Sequence, residues 1–205
     1  MTALLITLLA CDPAAPDELA PLTGVITSNG ESAELVGGAG FAAERDGRIV
    51  VVVYPRSEVT CELAGQDMGA GGEDWDASVV QEAGKCSMSI LADYDDGLDI
   101  TGGTLFDATV SVSCAMGDGT WEYREEDRYN SAGYFYTGSW WQGSPEAFDL
   151  TVSGDEEAGY TFEVTMETYT GQYIYDLEEA DPDPAEGAVS GGMVLEPCGD
   201  ISTIL

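Results

Sequence analysis

From Leu22 onward, hydrophobic and polar residues alternate with period two, the spacing of a strand with one buried face and one wet face. Phe106, Ala108, Val110, Val112 and Cys114 fall on one side of such a strand, with Asp107, Thr109, Ser111 and Ser113 on the other. The pattern recurs in Tyr160, Phe162, Val164 and Met166 against Thr161, Glu163, Thr165 and Glu167, and in Phe148, Leu150 and Val152 against Asp149 and Thr151. Ile49–Tyr54 replaces alternation with an unbroken apolar run. That run predicts a central strand covered on both faces.

Turn residues punctuate these runs at short intervals. Arg45-Asp46-Gly47-Arg48 is the clearest hairpin signal, followed by Ser28-Asn29-Gly30, the acidic stretch Ser153–Gly159 and Thr170-Gly171. Candidate strands lie at 22–28, 32–36, 39–45, 48–54, 57–63, 86–92, 104–114, 119–125, 133–138, 146–152, 160–169, 172–177 and 188–195. Some of these must merge or fail, which leaves about ten strands. Apolar spacing of the i, i+3, i+4, i+7 kind is weak everywhere, and Trp75–Ala83 is long enough for a short helix only. The expected fold is all-β: an antiparallel sandwich or meandering barrel, with hairpin-length links favouring up-and-down pairing. Residues 22–205 form the single β domain, and the Pro-broken, acidic residues 11–21 read as an extended tether in front of it.

Cysteine usage adds a compartment. Cys61, Cys86, Cys114 and Cys198 form an even set suited to two disulfides in an oxidising environment. Val59, Cys61 and Leu63 share one face of their run, as do Cys86, Met88 and Ile90, while Cys114 ends the apolar face of 106–114. The preferred pairs are Cys61–Cys86, which would close the Gly- and acid-rich excursion between them, and Cys114–Cys198, which would tie in the last strand. Four cysteines permit two further connectivities.

Charge narrows the partners. With 39 acidic against 6 basic residues the net charge is −33, and there is no histidine. Such a chain is repelled by phosphate backbones and anionic headgroups, so nucleic acid is excluded as a partner. Lack of histidine removes Ser-His and Cys-His nucleophiles and His-ligated metals. Lys85, the sole lysine, has no Ser-x-x-Lys spacing before it and reads as a surface charge, and no glycine-rich phosphate loop or Cys-x-x-Cys is present. Paired carboxylates could run glycoside chemistry without histidine, but no particular pair stands out. A non-catalytic protein is therefore expected, with no resident cofactor.

Two clusters are candidate sites. Asp93, Asp95, Asp96 and Asp99 surround a Gly turn, and hard oxygen ligands in that arrangement suit calcium; their spacing departs from the EF-hand loop, and a solvated turn explains them equally. Trp121, Tyr123, Tyr134, Tyr136, Trp140 and Trp141 crowd into one stretch. An exposed row of such rings beside acidic acceptors is what a carbohydrate-binding face needs, because sugar C–H groups stack on flat rings while hydroxyls take directional hydrogen bonds. Cross-strand packing of Trp121 and Tyr123 against Tyr134 and Tyr136 would use the same residues structurally.

At the amino terminus, residues 1–10 carry a short apolar run far below the roughly 20 residues of a membrane span. It ends in Leu8-Leu9-Ala10-Cys11, followed at once by Asp12 and Pro13. This resembles the signal and lipobox of bacterial lipoproteins, which implies lipidation of Cys11 and an anchor that holds the domain at a membrane of the cell envelope, on its periplasmic or cell-surface side. The combined expectation is a lipid-anchored envelope protein acting as a structural or interaction module, partnered by an envelope protein or polysaccharide. The alternatives are a carbohydrate-binding surface domain built on the 121–141 aromatics, and a glycosidase-like or calcium-dependent enzyme.

Overall fold

The computed structural model describes residues 19–69, 76–124, 133–167, 169–175, 179–182 and 185–204. Two hairpins open the domain. β1 (Thr23–Ser28) and β2 (Glu31–Val36) turn at Asn29-Gly30, and β3 (Ala39–Arg45) and β4 (Arg48–Tyr54) turn at Asp46-Gly47. All four turn residues have positive φ, from 49° to 79°, the left-handed geometry that Asn, Asp and Gly tolerate and that matches strand twist. After β4 the chain leaves the sheet to form a short helix, α1 (Cys61–Met68), and a 3-10 turn at Ala77–Val79. It returns as β5 (Lys85–Asp93), β6 (Leu98–Gly103) and β7 (Ala108–Met116). A small separate hairpin follows, β8 (Trp121–Arg124) with β9 (Gly133–Tyr136). The remaining strands are β10 (Ser139–Pro145), β11 (Phe148–Asp155), β12 (Gly159–Met166), β13 (Tyr169–Tyr175), β14 (Glu179–Pro182) and β15 (Glu186–Pro197), before a last 3-10 segment at Gly199–Ile204.

Six strands close a mixed barrel in the order β1, β2, β5, β4, β3, β15. Most neighbours are antiparallel, but closure depends on two short parallel contacts, Glu34–Leu35 beside Lys85–Cys86 and Glu196–Pro197 beside Phe41–Ala42. Sheet extensions run outward from β5 through β7, β10, β13 and β14, and from β15 through β12, β11 and β6. The all-β, disulfide-stapled fold agrees with the alternation in the sequence. Purely up-and-down pairing does not, because β15 crosses back to join β1, β3 and β12. Lys85 is paired: its ammonium lies 2.5 Å from Glu34 Oε2 at the parallel junction and holds that carboxyl below the ordinary carboxylate range.

β4 is buried on both sides, as its apolar run predicts. Ile49, Val51 and Val53 join the main core with Ile26, Leu35, Ile90, Val112 and Phe162, while Val50, Val52 and Tyr54 face a second core under α1 with Phe41, Val59, Ala64 and Ile201. Each fully buried Val, Ile or Phe contributes about 1.5–3 kcal/mol relative to exposure.

Several local expectations fail for identifiable reasons. The run 57–63 is no strand: Thr60 accepts a hydrogen bond from Leu63 N at 3.3 Å and caps α1, so Cys61 sits in a helical first turn. Phe106 does not lead β7. It projects from a turn closed by Asp107, whose carboxylate accepts from Thr104 N and Oγ1, and is 90% exposed. β10 lies in a stretch assigned to no strand, and β14 lies inside an acidic, Pro-broken segment.

The preferred disulfide pairs are also overturned. Cys86 bonds Cys114 and Cys61 bonds Cys198. Cys86 and Cys114 are register partners across β5 and β7 with Cα atoms 4.0 Å apart, whereas Cys61 rides α1 on the outside of the barrel beside the segment that leaves β15. In the chain-entropy picture, loops of 28 and 137 residues constrain the unfolded chain by about 3.5 and about 5 kcal/mol. Two such bridges mark an extracytoplasmic protein.

Candidate functional site

Two excursions from the sheet fold over the same outer face of β4, β5, β7 and β10 and leave a groove of about 490 Å³ between them. On one side stand α1 and the 3-10 turn, and on the other the β8–β9 hairpin. The floor comes from strand alternation. Ser87 and Ser89 on β5 stand opposite Ser113 and Ser111 on β7, and Gln142 on β10 continues the row beside Ser113. These serines occupy the face opposite Met88, Ile90, Val110 and Val112, so the pleat that fills the core also builds a polar floor.

Three rings form the hairpin wall. Trp121 and Tyr136 are register partners on β8 and β9, with centroids 5.3 Å apart, and Trp140 meets them edge-on at 6.0 Å and 6.3 Å. The Tyr136 hydroxyl donates to the Met116 carbonyl at 2.8 Å, which ties the hairpin back to β7. Desolvation raises the Tyr136 phenol, so it stays protonated and donating at neutral pH.

The opposite wall is anchored with equal care. The Tyr54 hydroxyl donates to Asp67 Oδ2 at 3.0 Å, and burial, followed by the Asp67 charge, raises its pKa strongly. Arg56 donates to the Ser78 carbonyl, while Asp76 accepts from Ser78 N at 3.0 Å and caps the 3-10 turn. That turn positions Gln81, whose backbone N–H donates to Ala77 O at 2.9 Å and whose Nε2 donates to Ser87 Oγ at 2.6 Å.

Two groove residues carry polar atoms without a partner among the described residues: the Gln81 Oε1 acceptor and the Trp121 Nε1 donor. Gln81 is 8% exposed, so little water reaches it. A buried unpaired polar group costs about 1–3 kcal/mol. Asp67 is the single carboxylate among the described lining residues, which makes the groove a nearly neutral patch on a chain of net charge −33. Flat rings, hydroxyls and carboxamides together suit an uncharged ligand that has both apolar faces and hydrogen-bonding edges.

Neither a protein family nor any curated protein or solved structure matches this chain. The assignment of residues therefore rests on their geometry. Of the aromatic candidates, Trp121, Tyr136 and Trp140 line the groove. Trp141 points the other way, fully buried in the main core with its ring edge-on to Tyr169 at 5.9 Å. Tyr123 and Tyr134 pair across the hairpin, and their side chains lie outside the described part of the structure, as does Cys11.

The calcium cluster is not assembled. Asp93 ends β5, Asp95 and Asp96 lie in the following turn and Asp99 is on β6; all four are exposed, and among the described residues no group of three or more acidic or Cys side chains is placed to hold a metal. The turn spreads the carboxylates into solvent, where self-repulsion is smallest. Sequence reasoning missed Tyr54, Asp67, Met68 and Gln81. No local period marks them, because they meet only where α1 and the 3-10 turn fold back over the sheet.

Proposed function

We propose that this protein is a non-catalytic binding domain of the cell envelope that holds an uncharged carbohydrate in the groove. The observation that carries the reading is the juxtaposition of the Trp121–Tyr136–Trp140 wall with the serine and carboxamide floor. Stacked rings recognise the C–H faces of a pyranose, and hydroxyls and amides take its hydroxyl groups. This reading moves ahead of a general interaction module because the ligand-facing groups come from separate excursions converging on one cavity. The near-neutral lining fits a neutral sugar better than an acidic one, which the rest of the chain would repel.

Membrane attachment belongs to the same proposal. The lipobox-like Leu8-Leu9-Ala10-Cys11 would place acyl chains on Cys11, with the following residues as a tether that ends where Ala20 O accepts from Gly192 N at 2.8 Å and the chain docks on β15. Mass spectrometry of the membrane fraction tests this: a lipidated Cys11 as first residue supports the anchor, and an unmodified Cys11 still preceded by Ala10 overturns it.

Binding is tested by tryptophan fluorescence and calorimetry with neutral oligosaccharides. Saturable binding that falls about tenfold in Trp140→Ala, with the thermal melt little changed, is the expected result. Binding unaffected by both Trp121→Ala and Trp140→Ala would remove the groove as the site.

A further inference from the structure

Within the groove, the unpaired atoms differ in kind. Trp121 Nε1 can only donate, and Gln81 Oε1, a carbonyl oxygen, can only accept, while the amide nitrogen of Gln81 donates to Ser87 Oγ. A ligand that satisfies both must offer an acceptor to the ring wall and a donor to the wall that carries Gln81. Resting on the carbohydrate reading above, we infer that the groove selects sugars bearing an acetamido group, whose C=O accepts from Trp121 Nε1 and whose N–H donates to Gln81 Oε1.

Two features favour this group over a bare hydroxyl, and a third favours it over a charged substituent. A secondary amide holds its N–H and C=O in one plane on opposite sides, a fixed geometry that costs little ordering on binding. Its methyl group adds apolar surface, and the groove supplies matching contacts from Met68 and Val52, which a plain polyol would leave against hydroxyls. The unit is also uncharged. A free amine in its place would need a carboxylate, and Asp67 already accepts from Tyr54, while an acidic substituent would meet a chain of net charge −33.

The experiment compares three trisaccharides on one β-1,4 backbone: chitotriose, cellotriose and the glucosamine trimer, titrated by tryptophan fluorescence into the full chain. Chitotriose is expected to bind about tenfold or more tightly than cellotriose. Trp121→Phe keeps a ring in the wall but removes the N–H, and Gln81→Leu removes the acceptor. Each should bring the ratio of chitotriose to cellotriose affinity down toward one, whatever it does to the binding of both.

Equal binding of chitotriose and cellotriose by the unaltered chain would overturn the acetamido inference while leaving the carbohydrate reading intact. Binding of none of the three would overturn both. Tightest binding by the glucosamine trimer, weakening steeply with salt, would mean that charge sets the preference, and the inference would fall. If Gln81→Leu does not fold, Trp121→Phe decides: retained chitotriose selectivity in that variant counts against the inference.

Discussion

Cys86 and Cys114 face each other across β5 and β7, and their immediate neighbours Ser87 and Ser113 face each other on the opposite side of the same two strands. One register therefore sets both a buried covalent cross-link and the first rung of the groove floor. A one-residue slip would send the serines into the core and the cysteines into the groove.

The two bridges should consequently be separable. Replacing Cys86 and Cys114 together with Ala is expected to lower stability by about 3–4 kcal/mol, read from denaturant midpoints, since it relaxes the sheet itself. Replacing Cys61 and Cys198 should chiefly release α1. Hydrogen exchange in residues 61–68 would then rise well above that in β4 and β5, and a uniform rise across the barrel would contradict this division.

Alkaline pH should expose the buried phenols. Burial is the main cause raising the pKa values of Tyr54, Tyr136, Tyr160 and Tyr169, with Tyr160 pushed up to about 12. A group whose folded pKa is raised contributes fully below its unfolded value, near pH 10, and the contribution is lost as pH rises toward the folded value. Stability should thus hold to about pH 10 and decline above it. Absorbance of phenolate at 295 nm should show an early ordinary phase and a late phase coincident with loss of near-ultraviolet circular dichroism. A single ordinary titration with the fold intact would refute it.

Phe106 and Phe162 offer a contrast that the strand pattern alone does not distinguish. Phe162 is fully buried, and Phe162→Ala is expected to cost about 3–5 kcal/mol. Phe106→Ala removes a ring that is 90% exposed and should change stability by no more than about 0.5 kcal/mol. Thermal melts of the two variants side by side provide the check.

Salt should stabilise the domain. Exposed carboxylates such as Glu163 on β12, Glu167 just beyond it and those of Asp155–Glu157 repel one another at low ionic strength, and a chain of net charge −33 has few cations to offset them. The melting temperature is expected to rise from low to molar salt. An unchanged or lower value would show that self-repulsion is unimportant here.

Sequence by itself determined the strands of clear alternation, the Asn29-Gly30 and Asp46-Gly47 turns, the two-sided burial of β4 and the oxidising compartment, because each follows from local backbone geometry or from composition. It also singled out the 121–141 aromatics without separating Trp140, which lines the groove, from Trp141, which fills the core; adjacent residues on a strand point to opposite faces, and only the pairing of β10 with β7 decides which face is inside. Tertiary structure alone decided the disulfide partners, the closure of the barrel through two short parallel contacts and the meeting of Gln81, Ser87 and Trp121 in one cavity. Those are contacts between residues far apart in the chain or on separate excursions. Their geometry depends on how whole sheets pack, and no local period records it.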